Sequence, residues 1–443
     1  MSINRPITTL RDDRDAVQPN RSFAAAQPRW RVRDDCDPTL LPPDAPDWSR
    51  LDQDPRATLV KTNPARQVWR VQLPERVVFA KLFFRRGLGD SIRSLLRRLP
   101  ERREWRAGRY AGEFEIGCVR YLACLQPAGG AKRLRAVLIS QAAPNAFSLT
   151  DEWSRTASIP DESTRQQQVD RLGTLVARLT ATAHQKQFLH RDTHPQNILI
   201  CRDEGAVPVE AIYIDPHRAC VGRPVSDRRA AANLAELHQW FRTRASAEQR
   251  LRFLETYLAF RYEGSQTDEP GAVARARVRT WARRVERASR RQAARLHAQR
   301  DRRILRQNRF FGWAPLGRGW VGWFTLRFRR RDLRPQPSQP DRSLPEWIDW
   351  VRQQLPDLDD ATACQTAAGQ LGLTLVRKVA KTTGVRLAWT LRESPNRRAF
   401  REGHARRNRD LPTASPIALF ERRSWGCIVE TVLLLESPDG GAR

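Results

Sequence analysis

The chain reads as an α+β protein of two lobes, strand-rich then helical, followed by a C-terminal extension that resembles a second, incomplete small lobe. Three observations predict this. Short β-type runs follow one another between Leu59 and Phe84, and apolar residues recur at helical spacing between Gln166 and Tyr262. Sliding the sequence by 295 residues also brings Arg106-Ala107-Gly108 onto Arg401-Glu402-Gly403 without a gap.

Residues 1–46 are rich in Arg, Asp and Pro, show neither period, and read as a flexible leader. The small lobe, 47–143, opens with three β-branched and aromatic runs: Leu59-Val60, Val68 to Val71, and Val77 to Phe84. After Gly87-Leu88-Gly89 a helical stretch is expected from Asp90 to Tyr110, broken at Pro100. Strands near Val119 to Leu125 and Leu134 to Ser140 bring the lobe to five strands and one helix.

The large lobe, 144–265, is helical. Val169, Leu172, Leu175, Val176 and Leu179 mark a core helix, and Leu234, Leu237 and Trp240 mark a second over Asp227 to Arg242. Leu251, Leu254 and Leu258 mark a third over Ala247 to Tyr262. Residues 266–333 form a basic helical and aromatic connecting segment, with Trp281, Val285, Ala288 and Leu296 near one helix face. A Pro-rich linker, 334–345, precedes the degenerate second small lobe, 346–443. There the offset also aligns Leu122-Ala123 with Ile417-Ala418 and Val137-Leu138-Ile139 with Val432-Leu433-Leu434.

One loop and three further residues carry chemistry. His190-Arg191-Asp192-Thr193-His194-Pro195-Gln196-Asn197 precedes an apolar run, and Ala211-Ile212-Tyr213-Ile214 leads to Asp215. An Asp, an Asn five residues on and a second Asp after a strand can orient a hydroxyl and hold Mg²⁺ through hard oxygen ligands. In these roles Asp192 is the catalytic carboxylate, and Asn197 and Asp215 are the metal ligands. Lys81 ends Val-Phe-Ala-Lys in an apolar strand and suits the nucleotide α- and β-phosphates. Its presence is informative in a chain with 73 Arg and only six Lys, because guanidinium and ammonium are not interchangeable. Glu104, on the following helix, is the partner that would hold the ammonium.

These segments resemble the lipopolysaccharide kinase (Kdo/WaaP) family of the protein-kinase-like superfamily. The resemblance spans about residues 55–265 and rests on Val-Phe-Ala-Lys81, Arg-Arg-Glu104-Trp-Arg, His-Arg-Asp192-Thr-His-Pro-Gln-Asn197 and Ile-Asp215-Pro-His217-Arg218-Ala219. It implies a two-lobed kinase fold, ATP with Mg²⁺ (or Mn²⁺) bound between the lobes, and phosphate transfer to a sugar hydroxyl, Kdo or heptose, of the lipopolysaccharide inner core at the cytoplasmic membrane face. It also places the adenine-contacting hinge near Gln141, Ala142 and Ala143, and makes His190 a structural residue. Two departures stand out. The hairpin Lys61 to Val68 has no Gly, which removes the usual backbone cradle for phosphate, and Pro216-His217 replaces Phe-Gly after the second Asp. In the tail copy Lys378 roughly matches Lys81, and Ala399 stands in the place of Glu104. The tail half is therefore expected to be inactive.

Composition narrows the partners. The net charge of +30 is spread along the whole length and interleaved with acids, so a nucleic-acid partner is disfavoured. The basic stretch 273–306 is the candidate for an anionic membrane surface, against the blander reading of a solvated helix. Seven cysteines with no CxxC pair argue against a disulfide framework or a zinc knuckle and suit a reducing compartment. Met1 to Asp15 has no apolar core for a signal peptide, which predicts a cytoplasmic protein, at most peripheral on the inner membrane's cytoplasmic face. Competing readings are an atypical Ser/Thr protein kinase, a catalytically inactive kinase-like binding module, and a metal hydrolase using His190, Asp192 and His194. The last leaves Lys81 and Asn197 without a role. Oligomeric state is left open.

Overall fold

The computed structural model describes residues 30–31, 40, 46–85, 99–127, 133–204, 206–263, 271–327, 341–355, 357–380, 383–409 and 411–436. Most of the leader, the expected helical residues before Leu99, and the Pro-rich stretch 334–340 lie outside them. The chain divides into two compact units, Met1–Ser289 and Arg290–Arg443.

The first unit begins with an antiparallel sheet. Its strands are β1 (Trp30–Arg31), β2 (Ala57–Asn63), β3 (Arg66–Gln72), β4 (Val77–Phe84), β5 (Tyr121–Pro127) and β6 (Leu134–Gln141), in the order β1-β5-β6-β4-β3-β2. The five expected strands are present, and a sixth comes from the segment read as a leader: Trp30 and Arg31 pair with Pro127 and Gln126. Period-2 alternation along β4 puts Val78, Ala80 and Leu82 on one face, where Trp69, Val71, Leu125 and Ile139 join them in a core closed by Trp48 and Leu51. Each Val, Leu or Ile among them, fully buried, contributes about 1.5–3 kcal/mol. Lys81 and Phe83 point to the other face, and there helix α1 (Pro100–Glu113) lies against Phe83, Cys124 and Leu138 through Trp105. Helix α1 begins with Pro at its first position, where a missing N–H costs nothing.

The rest of this unit contains β7 (Ala146–Ser148), α2 (Leu149–Ala157), α3 (Glu162–Gln185), β8 (Phe188–Leu189), β9 (Ile198–Arg202), β10 (Pro208–Tyr213), β11 (Cys220–Val221), α4 (Asp227–Phe241) and α5 (Ala247–Arg261). Asp161 caps α3 by accepting from the Thr164 amide, and Leu172, Val176 and Leu179 pack under β9 and β10 with Ile198, Ile200 and Tyr213. Helix α6 (Gly271–Asp301) spans most of the basic stretch, and its apolar residues Trp281 and Val285 are buried with Leu234, Leu254 and Tyr257.

The second unit holds β12 (Phe311–Gly317), β13 (Trp320–Thr325), α7 (Leu344–Gln354), α8 (Ala361–Gln370), β14 (Leu373–Val379), α9 (Thr383–Leu391), α10 (Pro395–Asn408), β15 (Pro416–Ser424) and β16 (Cys427–Glu436). Its sheet order is β12-β13-β15-β16-β14. The offset of 295 carries β4 onto β14, α1 onto α10, β5 onto β15 and β6 onto β16. Strand register follows it: Val78 faces Gln141 as Leu373 faces Glu436, and Ala123 faces Ile139 as Ala418 faces Leu434. The glycines repeat too. A Cβ on Gly108 would stand 2.0 Å from the Tyr121 ring, and one on Gly403 would stand 2.5 Å from Pro416. The extension is thus a second, incomplete small lobe, in which helices α7 and α8 occupy the sequence where the first hairpin would fall.

This register also corrects one correspondence. Val376, not Lys378, takes the place of Lys81, since Lys81 faces Leu138 and Val376 faces Leu433. Lys378 is exposed two residues further along the strand, and Ala399 is exposed as well.

Candidate active site

Burying a carboxylate costs several kcal/mol unless cations and donors satisfy it. Helix α1 buries two carboxylates, one turn apart, each with no exposure. Glu101 is held by Arg135, whose Nε and Nη2 donate at 2.8 and 2.9 Å. Glu104 receives Lys81 Nζ at 2.5 Å and the Tyr121 hydroxyl at 2.9 Å, both on Oε1. Its Oε2 is buried and has no partner among the described residues.

Lys81 also donates to Asp215, so β4, α1 and the end of β10 meet at one ammonium. Burial opposes the charge on Lys81, but Glu104 and Asp215 outweigh it and raise its pKa above the ordinary value. Burial likewise pushes the Asp215 carboxyl up, and Lys81 with Arg66 overrides this to hold it well below the usual carboxylate range. Both groups are charged across the neutral range. Asp215 sits at φ 59°, a left-handed conformation uncommon for a residue with a side chain. The turn Pro216–Arg218 follows it, and His217 Nδ1 donates to the Asp215 carbonyl at 3.1 Å.

The loop from His190 to Asn197 is fixed on both sides. Asn197 Nδ2 donates to the Asp192 carbonyl at 2.9 Å, and the Ile214 amide donates to the Asn197 carbonyl at 3.0 Å. His190 stacks on Tyr213, with ring centroids 4.8 Å apart, and donates from Nε2 to the Ile214 carbonyl at 3.0 Å. Burial lowers its pKa, which suits a neutral packing residue and not a base. Beneath the loop, Asn233 Nδ2 donates to the His190 carbonyl at 2.8 Å, and the Thr193 amide donates to Glu236 Oε2 at 3.1 Å. Asn233 Oδ1 accepts from His184 Nε2 at 2.9 Å, which leaves Nδ1 to accept from the Tyr257 hydroxyl at 2.9 Å. Burial accordingly drives the His184 pKa down to about 3.

Lys81, Glu104 and Asp215 are in direct contact. Asn197 is bonded to the backbone of Asp192, and that loop is tied to the residue preceding Asp215. Gln141 and Ala143 lie at the end of β6. The Gln141 amide is spent on the Arg120 carbonyl at 2.8 Å and that of Ala142 on Val77 at 3.0 Å. The Ala143 amide has no backbone hydrogen bond among the described residues.

Sequence reasoning missed Arg66. The glycine-free hairpin closes as a tight turn in which Asn63 Oδ1 accepts from the Ala65 and Arg66 amides, both at 2.9 Å. From the first residue of β3, Arg66 Nη1 reaches Asp215 Oδ1 at 3.3 Å. Where glycines would let backbone amides approach phosphate, this chain puts a guanidinium. It also missed that Glu104, Asp215 and His217 bring ligand atoms within 4.8 Å of one another. The donors Asp215 and Asn197 offer oxygen, the chemistry that fits Mg²⁺ or Mn²⁺. None of these residues lines the apolar cavity of about 650 Å³ bounded by Trp153, Leu172, Leu237, Phe241 and Leu254 in the helical part of the unit.

Residues 51–257 match the model of the lipopolysaccharide kinase (Kdo/WaaP) family. Among solved structures, WaaP in complex with acyl carrier protein is 18% identical, with 56% of this chain and 91% of that chain covered and a TM-score of 0.41. The ROP18 kinase domain in complex with AMP-PNP and sucrose is 12% identical, with 51% and 72% covered and a TM-score of 0.33. No curated protein matches the sequence.

Proposed function

We propose that this chain, whose residues 51–257 match the model of the lipopolysaccharide kinase (Kdo/WaaP) family, transfers the γ-phosphate of ATP to a sugar hydroxyl, Kdo or heptose, of the lipopolysaccharide inner core. The observation that carries this reading is the Lys81 ammonium held at once by Glu104 and Asp215. Kinase chemistry asks a protein mainly for positioning and charge neutralisation, and this cluster supplies both.

Asp215 and Asn197 would hold the divalent cation, Mg²⁺ or Mn²⁺, which neutralises charge on the phosphates when bound. Lys81 engages the α- and β-phosphates while Glu104 keeps its ammonium in place. Asp192 orients the acceptor hydroxyl and takes its proton. Its carbonyl is anchored by Asn197 Nδ2, so the loop cannot shift without also moving a metal ligand. Arg66, on the hairpin, adds a second cation to the phosphate side of the site, and the Ala143 amide meets the adenine edge. Sugar recognition would then lie on the Asp192 side.

Nucleotide binding tests this reading. The wild-type protein should bind ATP in the presence of Mg²⁺, and Asp215→Ala should bind it weakly. Absence of Mg²⁺-dependent ATP binding by the wild type sinks the proposal.

A further inference from the structure

The unit Arg290–Arg443 carries an exposed apolar face bordered by arginines, and we propose that this face docks on an anionic lipid bilayer. The inference stands independently of the phosphotransfer reading.

The face is centred on the turn between β15 and β16. Ser424 faces Cys427, and the two residues between them, Trp425 and Gly426, have φ of 50° and 75°. Such turns favour Asn-Gly or Asp-Gly, because a bulky residue in the left-handed region crowds its own carbonyl. Trp is a poor choice for that backbone, and packing within the chain does not repay it: Trp425 is 101% exposed. Folding gives no reason for an indole here, whereas an external apolar phase does.

Helix α9 extends the face. Thr390 Oγ1 accepts from the Ile428 amide at 3.0 Å, which pins the end of the helix to β16 just past the turn. Leu387 is 52% and Leu391 77% exposed on that helix, and Val379, at the end of β14, is also exposed. Arg386 and Arg392 are exposed among them, and residues 383–392 contain no acid; Arg423, also exposed, pairs with the buried Glu421 at 3.5 Å. The arrangement matches a bilayer surface. An indole sits at the level of the headgroups, leucines reach the acyl boundary, and guanidiniums meet lipid phosphates. The stretch 273–306 does not compete for this role through its apolar face, since Trp281 and Val285 are buried.

The test is co-sedimentation of the full-length protein with vesicles of phosphatidylcholine, with and without phosphatidylglycerol. The wild type is expected to bind the phosphatidylglycerol vesicles, less so as salt rises. Trp425→Ser combined with Leu391→Ser should weaken that binding by about tenfold or more, and Arg386→Glu with Arg392→Glu should weaken it comparably. An unchanged melting temperature in each variant verifies the fold. Wild-type protein that ignores anionic vesicles, or a Trp425→Ser/Leu391→Ser variant that binds like the wild type, overturns the proposal. So does a wild type that self-associates in solution through these residues without binding vesicles, which would assign the face to a second copy.

Discussion

The Arg66 guanidinium stands 3.3 Å from the Asp215 carboxylate, joining the first hairpin to a residue 149 positions away. On the reading proposed above, Asp215 would hold the metal and Arg66 would face the phosphates. Arg66→Ala should therefore lose a charge-assisted contact of about 1.5–3 kcal/mol, which is roughly a tenfold or greater rise in the dissociation constant for Mg-ATP. Adenosine, which has no phosphate, should bind the variant and the wild type equally. Isothermal titration with both ligands checks this, and equal losses for both would remove Arg66 from the phosphate site.

The ion pair between Lys81 and Glu104 separates stability from activity. Lys81→Met leaves Glu104 buried without its cation and should cost about 3–5 kcal/mol. Lys81→Met with Glu104→Leu removes both charges and should recover most of that loss while remaining inactive. Urea unfolding of the three proteins beside an ATP-turnover assay gives the comparison. A double variant as unstable as the single one would mean that the pair does not organise this part of the lobe.

The strands and helices of the first unit were legible because each carries its own periodicity: Val78, Ala80 and Leu82 alternate, and Leu172, Val176 and Leu179 recur at helical spacing. Lys81, Glu104 and Asp215 were legible as types in order along the chain, and the structure brings them into contact. Arg66 was not legible. It is one of 73 arginines, and only the three-dimensional closure of a glycine-free hairpin distinguishes it. Trp30 and Arg31 were missed because two residues cannot display a period. The repeat was legible as an offset, but the position equivalent to Lys81 needed the strand register, which a single Lys nearby had obscured.

The two glycines at corresponding places test that repeat. A Cβ at Gly108 would meet Tyr121 Cδ2 at 2.0 Å, and one at Gly403 would meet Pro416 Cγ at 2.5 Å. Gly108→Ala and Gly403→Ala should each destabilise their own unit by about 1–3 kcal/mol, as overpacking does. Thermal unfolding followed by calorimetry checks both. Either variant melting at the wild-type temperature would show that helix and strand are not in close contact at that position.

His184 sets an acid limit on stability. Its pKa is lowered to about 3, mainly by burial, so the unfolded chain takes up a proton near pH 6.5 that the folded chain refuses. The stabilisation is complete above the unfolded value and is lost progressively as pH falls towards the folded one. Burial lowers His190 and His238 in the same sense. Asp215, also depressed, loses its contribution only further down, below about pH 4. The unfolding free energy should fall from about pH 7 to about pH 5, and His184→Gln should make that slope shallower. An unchanged slope in the variant would place the acid sensitivity elsewhere.

In the proposed reaction Asp192 serves phosphate transfer from ATP to a lipopolysaccharide sugar. Incubation of γ-labelled ATP and Mg²⁺ with lipopolysaccharide core, using Asp192→Asn as the parallel sample, measures it directly. The wild type should label the core, and Asp192→Asn should lose about a hundredfold or more of that label, the scale of a positioned general base. No label with the wild type, or equal label with Asp192→Asn, would contradict it.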